Sequence, residues 1–169
     1  MAINTYAAIH VCSSDLIMKI FEVSKAHGIV EVTHVRHKLS LGREIFANGH
    51  ISYKSMSEIC RILGDFKKIM KEYRVTAYHA YGTDALRESS NQLVILDQIK
   101  LQANIKIRIL GNSQERFLYY KAISMQEKNF DKMIEEGALI VDMGAGSVQL
   151  SLFQEGSLSF TQNLKLGSS

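Results

Sequence analysis

Apolar positions along the chain change period several times, and the changes predict its elements. Residues 5–11 and 16–23 are short β-branched and aliphatic runs of strand type, and residues 29–38, IVEVTHVRHK, alternate as a third strand. With a turn at residues 25–28 these three form an antiparallel meander. On the third strand His34, Arg36 and Lys38 share one face, read as solvated, and Val35 and His37 share the other. Residues 43–49 read as a polar loop. Ser52 then precedes a helical pattern to residue 73, whose members Met56, Ile59, Cys60, Leu63, Phe66, Ile69 and Met70 form a core-facing stripe.

Residues 75–81, VTAYHAY, read as a buried strand that runs into GTDALR. Thr83 or Asp84 can cap a helix there, with Arg87 one turn in. That arginine is either an anion contact or an exposed residue of a capped helix. A helix from residues 90–91 to 103, a strand at 105–110, a turn at 111–114 and a helix at 114–128 follow. Phe117, Leu118, Ala122, Ile123 and Met125 are the apolar members of that last helix. Residues 126–137 hold four acids among twelve positions and read as an exposed link. Strands at 138–142, 147–154 and 157–164 close the chain, with a turn at Glu155 and Gly156. No helix follows them, so one face of this second meander is expected to be bare. The order predicts an α/β fold with a mixed sheet, a first lobe over residues 1–130 and the start of a second over 131–169.

Residues 139–153, LIVDMGAGSVQLSLF, compress a strand, a small turn and a second strand. Glycines at Gly144 and Gly146 allow successive backbone N–H groups to approach a phosphate, and Ser147 adds a hydroxyl. Asp142, at the exit of the strand, can hold a cation or orient a water. A β-hairpin with an ordinary glycine turn fits the same pattern. A second copy of the layout lies 132 positions earlier, with Ile9-His10-Val11 under Val141-Asp142-Met143 and Cys12-Ser13-Ser14-Asp15 under the turn. Two such units suggest two related lobes.

Composition narrows this modestly. With 169 residues, 46% of them hydrophobic and 22% charged, the chain can bury one core and part of another. A net charge of +3 suits anionic small molecules and is too small to argue for nucleic acid. No apolar run approaches a membrane span, and the start of the chain lacks the layout of a signal peptide. Cys12 and Cys60 have no metal-type spacing and read as reduced thiols of a cytoplasmic protein.

The motifs DMGAGS, GTDALRESSN, LGNSQER and LSLG stand in an order that resembles the amino-terminal portion of the exopolyphosphatase and guanosine pentaphosphate phosphohydrolase family. The resemblance covers nearly the whole chain. It implies an RNase H-like lobe of the kind found in actin-like ATPases, followed by the first strands of a second lobe that this chain leaves incomplete. It also implies magnesium-dependent release of terminal phosphate from polyphosphate or a guanosine nucleotide. The phosphate contacts would be Ser13 and Ser14 in the first loop, Gly144, Gly146 and Ser147 in the second, and Arg87, with Asp142 at the metal.

Departures from the family pattern cut against activity. His10 stands where the first loop has an aspartate, Cys12 where it has a glycine, and Asp15, an acid expected to repel phosphate, where it has a serine. The two catalytic glutamates fall on Gln114 and Gln149. An amide cannot take a proton from water near neutral pH and holds a hard cation more weakly than a carboxylate. Glu115 adjoins Gln114; one residue of helix turns about 100° away, but an alignment slipped by one residue would put the family's glutamate on Glu115 and rescue part of the site. The sequence therefore reads as a catalytically degenerate family domain that keeps a phosphate-binding remnant. An active hydrolase is the alternative, and a self-associating module, a homodimer through the bare sheet, is the third reading.

Overall fold

The computed structural model describes residues 4–144 and 147–166. The chain divides into two compact units, Met1–Ile109 and Leu110–Ser169. The boundary expected from the sequence falls later, after residue 130.

In the first unit, β1 (Asn4–Val11), β2 (Asp15–Ser24) and β3 (Gly28–Lys38) form the expected meander. Helices α1 (Leu41–Asn48) and α2 (Tyr53–Glu72) follow, then β4 (Ala77–Gly82), α3 (Asp84–Glu88), α4 (Gln92–Ala103) and the two-residue β5 (Arg108–Ile109). The sheet order is β3-β2-β1-β4-β5, antiparallel at β1/β2 and β2/β3 and parallel at β1/β4 and β4/β5. This is the mixed sheet that the order of elements predicts. Alternation along β1 and β2 sends Ala7, Ile9, Val11, Leu16, Met18 and Ile20 to one face, where all six are buried with Ile59, Leu63 and Phe66 of α2 and Ile95 and Ile99 of α4. Ser52 caps α2 as expected, its side chain accepting the N–H of Ser55.

Two expectations fail here for local reasons. The polar loop at 43–49 is helical: Gly49, at φ 69°, ends α1 in the left-handed region and donates its N–H to Ile45. Leu41 is the buried member of that helix, so no apolar stripe marks it in the sequence. The strand expected over 105–110 pairs only through Arg108 and Ile109, although Ile105, Ile107 and Leu110 are buried.

The second unit holds α5 (Asn112–Gln126), α6 (Phe130–Glu136), β6 (Ala138–Met143), β7 (Val148–Gln154) and β8 (Ser157–Leu164), the three strands forming an antiparallel meander. Residues 126–137, read as a link, contain α6. The acids that suggested a link lie on its exposed side, while Phe130 packs edge-on against Phe153 with centroids 6.4 Å apart. The meander is covered on one face by helices that precede it. Gln149, Ser151 and Phe153 of β7 are buried there, with Tyr120 of α5 donating its hydroxyl hydrogen to Ser151 Oγ at 2.6 Å. The opposite face is bare as expected: Leu139, Val141, Met143 and Phe160 are all exposed.

Candidate functional site

The first loop is a tight turn. Cys12 N–H donates to Asp15 O at 2.9 Å, and the carbonyls of Ser13 and Ser14 accept the N–H groups of Gly42 and Leu39. Its Ser13 N–H, which an anion would use, donates to Asp84 Oδ1 at 3.2 Å, and Ala85 N–H donates to the same oxygen at 2.9 Å. Ser14 Oγ donates to Asp15 Oδ2 at 2.6 Å. An internal carboxylate thus occupies the donor side of this loop.

Asp15 does not present a bare charge to a ligand. It is 4% exposed, and Arg36 holds both its oxygens, Nε to Oδ1 at 2.7 Å and Nη2 to Oδ2 at 2.8 Å. That two-pronged contact with Arg36, helped by Ser14 and opposed by burial, keeps the Asp15 carboxyl below the usual carboxylate range. The expected repulsion of phosphate is therefore neutralised within the protein, and Arg36 is not merely part of a solvated face. His10 lies beside this turn with Nε2 3.1 Å from Thr83 Oγ1. Burial lowers its pKa, against the raising influence of Asp84 and Asp15, while burial raises that of the Cys12 thiol.

Arg87 sits in α3, where its N–H donates to Thr83 O. Its side chain is 15% exposed, with Nε 3.7 Å from Glu88 Oε1, so it is not the exposed arginine of the simpler reading. Thr83 occupies the cap position without a side-chain cap bond, and Asp84 supplies the capping carboxylate one residue later.

In the second unit, Gly144 N–H donates to Ser147 O at 2.8 Å and closes the turn after β6. A side chain at Gly144 would place Cβ 3.3 Å from that carbonyl, a tight contact. Ser147 is half-buried. Gly146, with Ala145, lies outside the described residues. Pairing puts Asp142 opposite Gln149 and Gln149 opposite Asn163, so the three form one row across β6, β7 and β8. Gln149 is 3% exposed, and among the described residues its Oε1 has no hydrogen-bond partner; neither has Asn163 Oδ1 nor Asn112 Oδ1. Gln114 is exposed, its Oε1 accepting Gly111 N–H at 3.3 Å, while the neighbouring Glu115 is 8% exposed.

The sequence names Asp142 and Gln149, gives Asp84 only as a helix cap and Arg36 only as part of a solvated face, and does not single out Asn163. Alternation along β8 could have placed Asn163 beside Gln149; nothing local marks Arg36, because its partner lies 21 residues away.

The donor set of the row is oxygen only, with the one carboxylate of Asp142 beside two amides that have unpartnered oxygens. Among the described residues, no three His, Cys, Asp or Glu side chains gather at one place. Such a set fits a magnesium ion that keeps most of its own water, since magnesium is commonly held through one or two carboxylates with waters and phosphates completing the shell.

The solved Ppx/GppA family member from Aquifex aeolicus is 22% identical, with a TM-score of 0.78 over 98% of this chain and 52% of that one. An exopolyphosphatase from Cytophaga hutchinsonii is also 22% identical, with a TM-score of 0.82 over 97% of this chain and 51% of that one. The chain spans about half the length of these solved relatives. A bifunctional 3-dehydroquinate synthase/phosphatase from Fusobacterium nucleatum is 21% identical over 132 residues, 77% of this chain and 19% of that protein. The fold is α/β of the actin-like ATPase type. With the family's sequence model matching residues 19–169, the chain belongs to the Ppx/GppA phosphatase family.

Proposed function

We propose that this chain binds the phosphates of polyphosphate or of a guanosine nucleotide and has lost most of the family's hydrolytic capacity. One observation carries the reading: position 149 is a neutral amide, buried at 3% exposure, with its Oε1 unpartnered. A carboxylate there would sit beside Asp142 and share the charge of a cation; the amide keeps the shape and surrenders that charge. Phosphoanhydride hydrolysis needs a group to take or direct the proton of the attacking water, and losing one typically costs on the order of a hundred- to ten-thousandfold. Asp142 is the residue that would hold magnesium, which supplies Lewis-acid stabilisation of the phosphate oxygens when bound. In the second unit Gly144 and Ser147 are the described phosphate contacts of the reading, although the Gly144 N–H is taken by Ser147 O and would have to be released; in the first they are Ser13, Ser14 and Arg87. The loop of Ser13 and Ser14 is engaged with Asp84 and Asp15, which weakens its hold on a ligand. The two free thiols, Cys12 and Cys60, support a cytoplasmic setting. Among the described residues no helix is long and apolar enough to cross a membrane.

Phosphate release from magnesium polyphosphate and guanosine pentaphosphate tests the reading, comparing the chain with its Gln114→Glu/Gln149→Glu variant. Binding without release by the parent, with gain in the variant, supports it. Release by the parent at an ordinary enzymatic rate favours the active-hydrolase alternative. The exposed row of Leu139, Val141, Met143 and Phe160 favours a second reading, self-association through the bare sheet face. Concentration-dependent sedimentation without any phosphate binding is its signature.

A further inference from the structure

Asp84 stands at the first loop of the first unit as an anion already in place. One of its oxygens, Oδ1, accepts Ala85 N–H at 2.9 Å and Ser13 N–H at 3.2 Å, and the Thr83 hydroxyl donates to it from 3.4 Å. Several donors converging on one oxygen is the way a backbone turn holds an oxygen of phosphate. Unlike Asp15, whose two oxygens are held by Arg36, Asp84 meets only neutral donors in Ser13, Thr83 and Ala85.

The sheet fixes this arrangement. β1 and β4 run parallel with Val11 beside Gly82, and Thr83 N–H donates to Val11 O at 3.1 Å, so the residues that follow the two strands meet. On the other side of the loop, the carbonyls of Ser13 and Ser14 accept the N–H groups of Gly42 at 3.0 Å and Leu39 at 2.7 Å, which hinders the loop from turning its own N–H elsewhere. Ser13 is 3% and Thr83 2% exposed, so water does not compete freely for their donors. His10 extends the same chain of bonds. Thr83 gives its one hydroxyl hydrogen to Asp84, which makes His10 Nε2, 3.1 Å from Thr83 Oγ1, the donor to that oxygen. An aspartate at position 10 would bring a second acid toward Asp84, where the imidazole supplies a hydrogen instead.

We propose that Asp84 decides whether the first loop takes phosphate: its carboxylate is a latch that an incoming phosphate must displace from Ser13 N–H. The inference deepens the phosphate-site reading and rests on it. Displacement opposes binding in two ways. The bond from Ser13 N–H has to be exchanged, and the released carboxylate stays tethered beside the bound phosphate, like charge against like charge.

The test is a titration with magnesium polyphosphate, followed by the backbone amide signals in proton–nitrogen nuclear magnetic resonance. It is run on the natural chain and on two variants. Asp84→Ser removes the charge and keeps a hydroxyl at the start of α3, and Asp84→Asn keeps the shape without the charge. The Ser13 amide is expected to shift in Asp84→Ser at a ligand concentration about tenfold or more below the one the natural chain needs, with Asp84→Asn between them. Because the expected effect is a gain of affinity, a variant that merely loosens the fold does not imitate it. Equal concentrations in the natural chain and Asp84→Ser overturn the proposal, as does binding that shifts Ser147 and leaves Ser13 unmoved in all three chains. If no amide moves in the natural chain while Ser13 shifts in Asp84→Ser, the phosphate-site reading of the natural chain fails and the latch stands. No shift in any of the three removes both.

Discussion

Tyr120 sets where α5 lies on the second sheet, and its removal gives a worked prediction. The hydroxyl donates to Ser151 Oγ at 2.6 Å, and Ser151 is 2% exposed, so water does not replace the lost donor freely. A net hydrogen bond is worth about 0.5–1.5 kcal/mol, and an orphaned buried polar group costs about 1–3 kcal/mol. Tyr120→Phe keeps the ring on Phe153 and is expected to cost about 1–2 kcal/mol. Ser151→Ala orphans the half-buried hydroxyl of Tyr120, which retains some access to water, and is expected to cost about 1 kcal/mol. Because both changes break the same bond, the double variant should fall short of the sum by about 1 kcal/mol. Urea unfolding followed by far-ultraviolet circular dichroism, run as a double-mutant cycle, measures this. Strictly additive costs would refute the contact between α5 and β7.

Other expectations concern the first unit. Arg36→Met leaves the Asp15 carboxylate buried without its ion pair. Since that carboxyl is held below its usual value, its stabilising contribution is full above the unfolded value near 3.9 and is lost as pH falls through the lower folded value. Thermal melts should therefore show the variant weaker than the natural chain at neutral pH and the difference closing in acid, below the usual carboxylate range; a constant difference would contradict the pairing. Gly82→Ala puts a Cβ 2.6 Å from Leu86 Cδ1 and 2.9 Å from Ile109 Cδ1, and Leu86 is fully buried, so overpacking should cost about 1–3 kcal/mol in the same unfolding assay. Phe66→Ala empties a fully buried ring position in α2 and should cost about 3–5 kcal/mol, enough to threaten folding of the unit.

Periodicity made much of the fold legible. The β1 to β3 meander, the stripe of α2 behind its Ser52 cap, and β8 over Ser157–Leu164 all follow from alternation, helical spacing and turn residues. What escaped was held by partners remote in sequence. Helix α1 has a single buried residue and is tied down by Glu44, which accepts the N–H of Ser52; α6 has no buried residue, and of its three apolar members, Phe130, Met133 and Ile134, the Phe130 ring meets Phe153. The candidate site shows the same division. Asp142 and Gln149 announce themselves by their places around a glycine turn, whereas the neutralisation of Asp15 by Arg36 and the use of Ser13 N–H by Asp84 depend on pairings that no local pattern encodes. The contrast between Gln114 and Glu115 is a matter of helix phase, and a shift of one residue exchanges outside for inside.

The central claim is that phosphate is held here without being turned over. A phosphorus nuclear magnetic resonance time course of magnesium polyphosphate with the natural chain reads both halves at once. Selective broadening of the terminal phosphate signal is expected, with no growth of orthophosphate beyond the protein-free control. Steady growth of orthophosphate at a rate approaching one turnover per second or more, the ordinary range for enzymes, would contradict it, as would terminal signals unaffected by the protein.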